Sequence, residues 1–289
     1  MWAQPLSSIA LAGFALAQCS QVAGDTLREQ VAGCGSFFAS DPRPLTEERS
    51  PPRLQIVSEK LACWDGSIER GAIEPLHAWA VTRDENKTLV IRSGGGDSEA
   101  ALRLTEQLNA VGARVVVMDV CASACANYFY AGSLHRNILG EAAILFHGGF
   151  GPELRSQAEA SLRALVDDNR ELFPQPEQEI ARNLEHFDAL TTDQNRLLAQ
   201  AGVSQAVIDD FYGVDLTAAP APSCTANGGD DRRFIFFSDA QLEQLGLSPG
   251  LGEAATDTDT VSEILSSLGA EFAACLAPEG SDLFRGRRE

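Results

Sequence analysis

Two residues combine chemically useful side chains with positions at the ends of apolar, strand-like segments. Ser123 stands in the small-residue sequence Cys121-Ala-Ser-Ala-Cys125, just after the segment Arg114 to Val120, and His147 directly follows the apolar run Ala143 to Phe146. A serine hydroxyl becomes an effective nucleophile when a nearby imidazole takes its proton. The pair therefore predicts acyl transfer, with Ser123 as nucleophile and His147 as general base.

Each of these residues also has a simpler interpretation. Ser123 could cap the helix that follows it, and His147 could be a hydrogen-bonded structural histidine. The remaining histidines lie in helix-like or turn-like sequence and are interpreted as structural: His77, His135 and His186. The functional interpretation of Ser123 and His147 rests on the features around them.

A glycine run, Ser93-Gly-Gly-Gly-Asp97, follows the apolar segment Thr88 to Ile91. Asp97-Ser98 stands where a phosphate-binding loop has lysine and a hydroxyl residue, so the run is not a Walker-type loop. A tight strand-to-helix turn would also explain the glycines. A Ser-Lys mechanism would need Lys60 or Lys87, the only lysines, and both precede Ser123 near strand edges, so histidine is favoured as the base.

The elements that position these residues alternate between strand-like and helix-like segments. Strands are predicted over 54–57, 88–91, 114–120 and 143–146, with helices over 73–80, 101–108 and 122–131 between them. This rhythm predicts an α/β fold with a parallel sheet and right-handed crossovers. Ligands bind at the carboxyl ends of the strands in such sheets, and the glycine run, Ser123 and His147 all fall there.

The rest of the chain adds segments before and after this core. Residues 18–53 are predicted to form an arm, and 152–211 reads as helical and charged. Phe234 to Phe237 predicts a strand, Ser238 caps a helix that stops at Gly246, and a further amphipathic helix is expected from about Thr260 to Cys275.

The first 17 residues predict a cleaved signal peptide. An apolar run from Leu6 to Ala17 ends in Ala15-Leu-Ala17, which fits the small-x-small cleavage rule and is too short to span a bilayer. The alternative is a lipoprotein acylated at Cys19, the only route by which we expect membrane attachment. Either way, the protein is expected to be periplasmic or secreted, with a soluble mature domain.

Net charge narrows the classes of partner. The formal charge of −19 opposes binding to nucleic acid or to anionic lipid, because both need clustered cations to offset phosphate.

Seven cysteines would be oxidisable in an exported protein, but their pairing cannot be read from sequence. Placed one helical turn apart, Cys121 and Cys125 would have Cβ atoms about 5–6 Å apart, whereas a disulfide needs about 3.5–4.5 Å. Two cysteines are also too few ligands for a structural zinc site. Both are therefore interpreted as buried small hydrophobic residues.

The ordered set of motifs resembles the Clp protease proteolytic subunit and the wider ClpP/crotonase superfamily. Thr88-Leu-Val-Ile-Arg-Ser-Gly-Gly-Gly-Asp97 is similar to that family's glycine-rich strand end, with Gly94 where proline is usual. Cys121 to Cys125 resembles the nucleophile turn, and Ala131 to His147 resembles the segment that leads to the catalytic histidine. The resemblance covers about two-thirds of the chain, and 88–149 is its specific part.

The resemblance implies the roles of the site residues. Ser123 becomes the nucleophile and His147 the base, and the backbone N–H groups of Gly95 and Ala124 become the oxyanion hole. The histidine-orienting aspartate is expected at Asp230, with Asp231 or no acid as alternatives and three rivals: Asp209, Asp210 and Asp215. The Gly-rich context of Asp230 is unlike the family's.

We therefore expect an exported serine peptidase or related acyl hydrolase that acts on peptides or unfolded segments. No cofactor, metal or partner ATPase is expected. The protein is expected to form a homo-oligomer. The alternatives are a noncatalytic binding or assembly protein on the same fold and a crotonase-like enzyme acting on acyl-CoA, which the acidic chain disfavours. The expected organisation is a signal peptide (1–17), an arm (18–53), a ClpP/crotonase-like domain (54–249, with a helical insertion at 152–213) and a C-terminal helix and tail (250–289).

Overall fold

The computed structural model describes residues 26–40, 52–82, 86–209, 211, 223–225, 232–270 and 272–278. The expected signal peptide and Cys19 lie outside these residues. No helix among the described segments has the length and apolar character needed to cross a membrane.

A six-stranded, mostly parallel sheet forms the centre of this α/β protein. Its order is β1-β2-β3-β4-β5-β7, and only the pairing of β1 with β2 is antiparallel. The strands are β1 (Arg53–Ser58), β2 (Leu61–Asp65), β3 (Thr88–Ser93), β4 (Arg114–Ala122), β5 (His135–Leu145) and β7 (Glu253–Ala254). The predicted parallel α/β class is thereby confirmed.

Helices connect and cover these strands. They are α1 (26–39), α2 (Arg70–Ala80), α3 (Ser98–Ala110), a π-helix (Cys125–Tyr130), α4 (Pro152–Asp168), a 3₁₀ turn (Arg170–Leu172), α5 (Pro176–Gln200), α6 (Ala206–Asp209), α7 (Asp239–Leu245) and α8 (Thr258–Ser267). The helix predicted over 122–131 is a strand end followed by this π-helix.

The apolar runs of β3 and β4 are explained by burial on both faces, which is typical of parallel sheets. One face packs in the main core with α2, α3 and the π-helix, where Ile91 and Val117 are buried. The other face packs under α1, where Val90 and Val116 contact the cluster around Phe38. The Cys34–Cys63 disulfide joins α1 to β2 on this second face.

A second, two-stranded parallel sheet lies against the end of β5. It consists of β6 (Arg232–Phe236) and β8 (Ala273–Leu276), and Phe146 forms an antiparallel bridge to Ile235. The prediction of one helix from Thr260 to Cys275 was wrong for its second half. Ala273 and Ala274 belong to strand β8 and are fully buried. This C-terminal segment is therefore part of the core and does not continue the helix.

The charged helical region after β5 forms a hairpin of α4 and α5. Val166 is the only buried residue of α4, and ion pairs such as Arg155–Asp188 link the two helices. α5 reaches the main body through Gln194, which is fully buried. This hairpin corresponds to most of the helical insertion expected at 152–213.

Candidate active site

Ser123 occupies a sharp turn between β4 and the helix that follows. Its φ angle is +57°, in the left-handed region that non-glycine residues rarely adopt. The Ser123 N–H donates to the carbonyl of Leu145 at 2.9 Å, and the Ser123 carbonyl accepts from the Asn127 N–H at 2.9 Å. These bonds fix the serine between strand and helix, and its half-buried side chain is held at the carboxyl end of the sheet.

The structure brings Ser123 and His147 into direct contact. The Ser123 Oγ lies 2.5 Å from the His147 Nε2, which is a short hydrogen bond. Because β4 and β5 are parallel neighbours, with Ala122 paired to Leu145, the residues just beyond each strand end meet at one edge. The geometry is the one required for an imidazole to take a proton from a serine hydroxyl.

The imidazole of His147 lies in apolar surroundings. Its ring centroid is 5.4 Å from that of Phe234 and 6.2 Å from that of Phe211. Burial lowers the pKa of His147 below its ordinary value of 6.5, and a backbone hydrogen bond with Gly148 partly offsets this effect. His147 is therefore neutral, and able to accept a proton, at neutral pH.

Two polar side chains that sequence reasoning missed hold the segment after His147. The Asn127 Nδ2 donates to the His147 carbonyl at 2.9 Å. Gln194 of α5 accepts from the Phe150 N–H at 2.9 Å and donates to the Phe150 carbonyl at 2.8 Å, and it also accepts from the Tyr128 hydroxyl. Asn127 stands four residues after Ser123 in an otherwise apolar stretch. This isolated polar residue was the only feature of the sequence that could have indicated a role near Ser123.

The glycine run lies directly against Ser123. A Cβ atom at Gly95 would stand 2.4 Å from the Ser123 Cβ and 2.8 Å from the Ala122 carbonyl oxygen, and Gly95 has a φ angle of +104°. Hydrogen bonds from the Ile68 N–H to the Gly95 carbonyl and from the Asp97 N–H to the Ile68 carbonyl, both 2.7 Å, fasten the run to the turn before α2. Glycine is thus required here by both contact and conformation.

The two predicted oxyanion donors stand in different situations. Ala124 begins the helical segment after Ser123, so its N–H has no acceptor within that helix. The Gly95 N–H donates to the Ser93 Oγ at 3.0 Å. The Gly95 N–H would have to leave the Ser93 Oγ before it could donate to an oxyanion.

The interpretation of Cys121 and Cys125 as unpaired residues was wrong. They form a disulfide, and their Cα atoms are 5.2 Å apart. They are not one turn apart on a helix, because Cys121 belongs to β4, Cys125 begins the π-helix and the left-handed Ser123 reverses the chain between them. The disulfide therefore closes a five-residue ring with Ser123 at its centre.

The aspartates considered as a third member of a triad lie largely outside what the structure describes. Asp210, Asp215, Asp230 and Asp231 are not among the described residues, and only the backbone of Asp209 is. Among the described side chains, none is a carboxylate hydrogen-bonded to His147. Asp230 therefore stays a prediction.

The other lysine and histidine side chains considered in the sequence lie away from Ser123. Lys87 precedes β3 and donates to the Glu59 carbonyl and to Thr82, at the edge of the sheet opposite Ser123. His77 contacts Gln107 and His186 contacts Glu99, away from the site. Within the described segments, no group of three or more His, Cys, Asp or Glu residues could hold a metal ion.

Three disulfides are formed by the described cysteines: Cys34–Cys63, Cys121–Cys125 and Cys224–Cys275. Such a set indicates folding in an oxidising compartment. Comparison of the chain with protein-family models finds no match, and a search of curated protein sequences finds no similar protein.

Proposed function

We propose that this protein is an exported serine peptidase or related acyl hydrolase on a ClpP/crotonase-type fold. The observation that supports it most is the 2.5 Å contact between the Ser123 Oγ and the His147 Nε2. A serine that only caps a helix has no need for a half-buried imidazole on its hydroxyl or for a left-handed backbone.

The mechanism follows from the positions of the two side chains. Neutral His147 takes the proton as the Ser123 Oγ attacks the substrate carbonyl, and the Ala124 N–H, at the start of the helix, stabilises the developing oxyanion. His147 then gives the proton to the leaving group, which departs from an acyl-enzyme. A water activated by the same imidazole releases the acyl group and restores Ser123.

Compartment and partners are part of the proposal. An exported enzyme acts without ATP, so the substrates would be peptides or loosely folded segments that need no unfolding ATPase. We propose a homo-oligomer, because Leu165 on α4 and Leu172 after it are 51% and 69% exposed. Light scattering that gives a monomer mass at micromolar concentration would refute the oligomer.

One observation favours a second candidate, a noncatalytic binding or assembly protein on the same fold. The Gly95 N–H is bonded to the Ser93 Oγ, so one of the two expected oxyanion donors is occupied within the protein. Such a protein would keep the Ser123–His147 hydrogen bond as a structural contact.

Hydrolysis assays separate the two candidates. The purified protein without ATP is incubated with p-nitrophenyl acyl esters of increasing chain length and with a fluorogenic library of unstructured peptides. The enzyme predicts turnover that Ser123→Ala abolishes and Ser161→Ala, on the exposed face of α4, leaves unchanged. A noncatalytic protein predicts equal background rates for all three.

A further inference from the structure

The two lysines of the chain gather with an arginine and a histidine at the edge of the main sheet opposite Ser123. Lys60 precedes β2, Lys87 precedes β3, and Arg114 and His135 are paired first residues of β4 and β5. The Thr88 N–H donates to the Lys60 carbonyl and the Arg114 N–H to the Lys87 carbonyl, both at 2.8 Å. These four residues, the cationic cluster, line a cavity of about 620 Å³.

None of the four side chains of the cationic cluster forms an ion pair with a described carboxylate, although the protein has a net charge of −19 and carboxylates in excess. Eight other arginines with described side chains are paired with Asp or Glu: Arg53, Arg70, Arg92, Arg103, Arg155, Arg163, Arg182 and Arg196. Arg28, Arg136 and Arg170 form no ion pair within the described residues, and the buried Arg136 donates instead to the carbonyls of Gly246 and Ala201. Most of the described arginines are thus paired, whereas Arg114 in the cavity is not.

Lys87 is a lining residue, but its ammonium group is held by residues outside the cavity. Lys87 is completely buried, and the ammonium group donates to the Glu59 carbonyl and to the Thr82 hydroxyl and stands 4.9 Å from the centre of the Trp79 ring. None of these three partners lines the cavity, so the charges offered to a ligand are those of Lys60 and Arg114. Lys60, Arg114 and His135 line the cavity with greater exposure to solvent.

The remaining lining supplies neutral hydrogen-bond groups. Ser58, Asn86, Thr88 and Gln30 contribute hydroxyl and amide groups, and the Gln30 Oε1 accepts from the Arg114 Nη1 at 3.1 Å. Cations together with hydroxyl and amide donors suit the oxygens of a phosphate group. The volume exceeds that of one phosphate and lies in the range of small-molecule sites, about 300–1,000 Å³.

We propose that this cavity binds a phosphate-bearing organic anion, with Lys60 and Arg114 contacting the phosphate. The site is separate from the proposed active site. Arg114 and Ala122 begin and end β4, and the eight steps between them span about 26 Å at about 3.3 Å per residue. Binding here is therefore independent of Ser123 chemistry.

The test is calorimetric titration with pyrophosphate at about 0.1 M salt, where the Debye length is about 10 Å. Lys60→Gln combined with Arg114→Gln should weaken binding at least about tenfold, because two charged hydrogen-bond donors are lost. The control, Arg163→Gln with Arg182→Gln, makes the same change in net charge on α4 and α5 and should leave the affinity within about twofold. Ser123→Ala should bind like the wild type.

Phosphate chemistry is shared by soluble phosphorylated compounds and by phospholipid headgroups. Co-sedimentation with phosphatidylglycerol vesicles, compared with phosphatidylcholine vesicles, distinguishes these sources. Pyrophosphate binding without selective sedimentation identifies a soluble ligand, and selective sedimentation lost in the Lys60/Arg114 variant identifies a headgroup. Absence of pyrophosphate binding by folded wild-type protein, or equal weakening in both double variants, would overturn the proposal.

Discussion

The backbone of Gly95 lies so close to Ser123 that a methyl group at position 95 would stand 2.4 Å from the Ser123 Cβ and 2.9 Å from its Oγ. The Ser123 hydroxyl therefore lies directly against the glycine run, and position 95 has no space for a side chain.

We expect Gly95→Ala to reduce turnover by at least about a hundredfold, because the new methyl group displaces the nucleophile from His147. Gly112→Ala is the matched control: its φ angle of +64° is also left-handed, but no atom lies within 4 Å of the added methyl. It should cost about 1–2 kcal/mol of stability and leave turnover unchanged. Equal turnover losses in the two variants, measured on one ester substrate, would show that backbone strain alone is responsible.

The Cys121–Cys125 disulfide is predicted to hold Ser123 in its left-handed conformation. Replacing both cysteines by alanine should lower turnover at least about tenfold, because the turn relaxes toward ordinary backbone angles. Its closed loop is short, so the entropic stabilisation lost is only about 2 kcal/mol.

The Cys34–Cys63 pair is the control for that experiment. Its ends are 29 residues apart, so its removal should cost more stability, about 3.6 kcal/mol, but leave turnover unchanged below the melting transition. The free energy of unfolding from chemical denaturation and the turnover of an ester are measured for both double variants. The Cys34/Cys63 variant should lose more stability, and the Cys121/Cys125 variant should lose more turnover. A turnover loss in the Cys34/Cys63 variant as large as in the Cys121/Cys125 variant would contradict it.

The pH profile should report the neutral form of His147. Burial lowers its pKa, so the imidazole stays neutral, and competent as a base, to a pH below 6.5. As the pH falls through that lowered pKa, the base becomes protonated and kcat/KM falls. We expect an acidic-limb midpoint below 6.5 on an ester without ionisable groups; a midpoint above 7 would mean that a carboxylate raises the pKa of the free enzyme's base.

Asp230 remains the residue predicted to orient His147. Asp230→Asn should reduce turnover at least about a hundredfold with little change in melting temperature, since losing the orienting carboxylate costs up to about ten-thousandfold in serine proteases. Asp231→Asn tests the alternative acid in the same assay. Activity of the Asp230 variant within a few-fold of wild type would show that Asp230 does not orient His147.

The parallel α/β sheet and the edge at which its polar residues meet were predictable because burial on both faces produces apolar runs. Thr88 to Ile91 and Ala143 to Phe146 carry that pattern directly. β8 was missed since Ala273-Ala-Cys-Leu276 is compatible with a helix, and its strand form depends on pairing with β6.

Two features of the site depend on tertiary structure and therefore could not be predicted from the sequence. The pairing of Cys121 with Cys125 depends on the left-handed φ angle of Ser123. A serine in the sequence gives no indication of this angle, because non-glycine residues rarely adopt it. The contact of Gln194 with the Phe150 backbone joins positions 44 residues apart, and it exists only once α5 has packed against the sheet.

Active-site labelling tests the central claim most directly. The protein is treated with a fluorophosphonate, and the modified residue is mapped by peptide mass spectrometry in wild type, Ser123→Ala, His147→Ala and the control Ser161→Ala. The Ser123–His147 geometry predicts a single adduct on Ser123 in wild type and in the control, none in Ser123→Ala, and labelling slower by about a hundredfold or more in His147→Ala. Equal labelling of all four proteins, or an adduct mapped to another residue, would contradict the account.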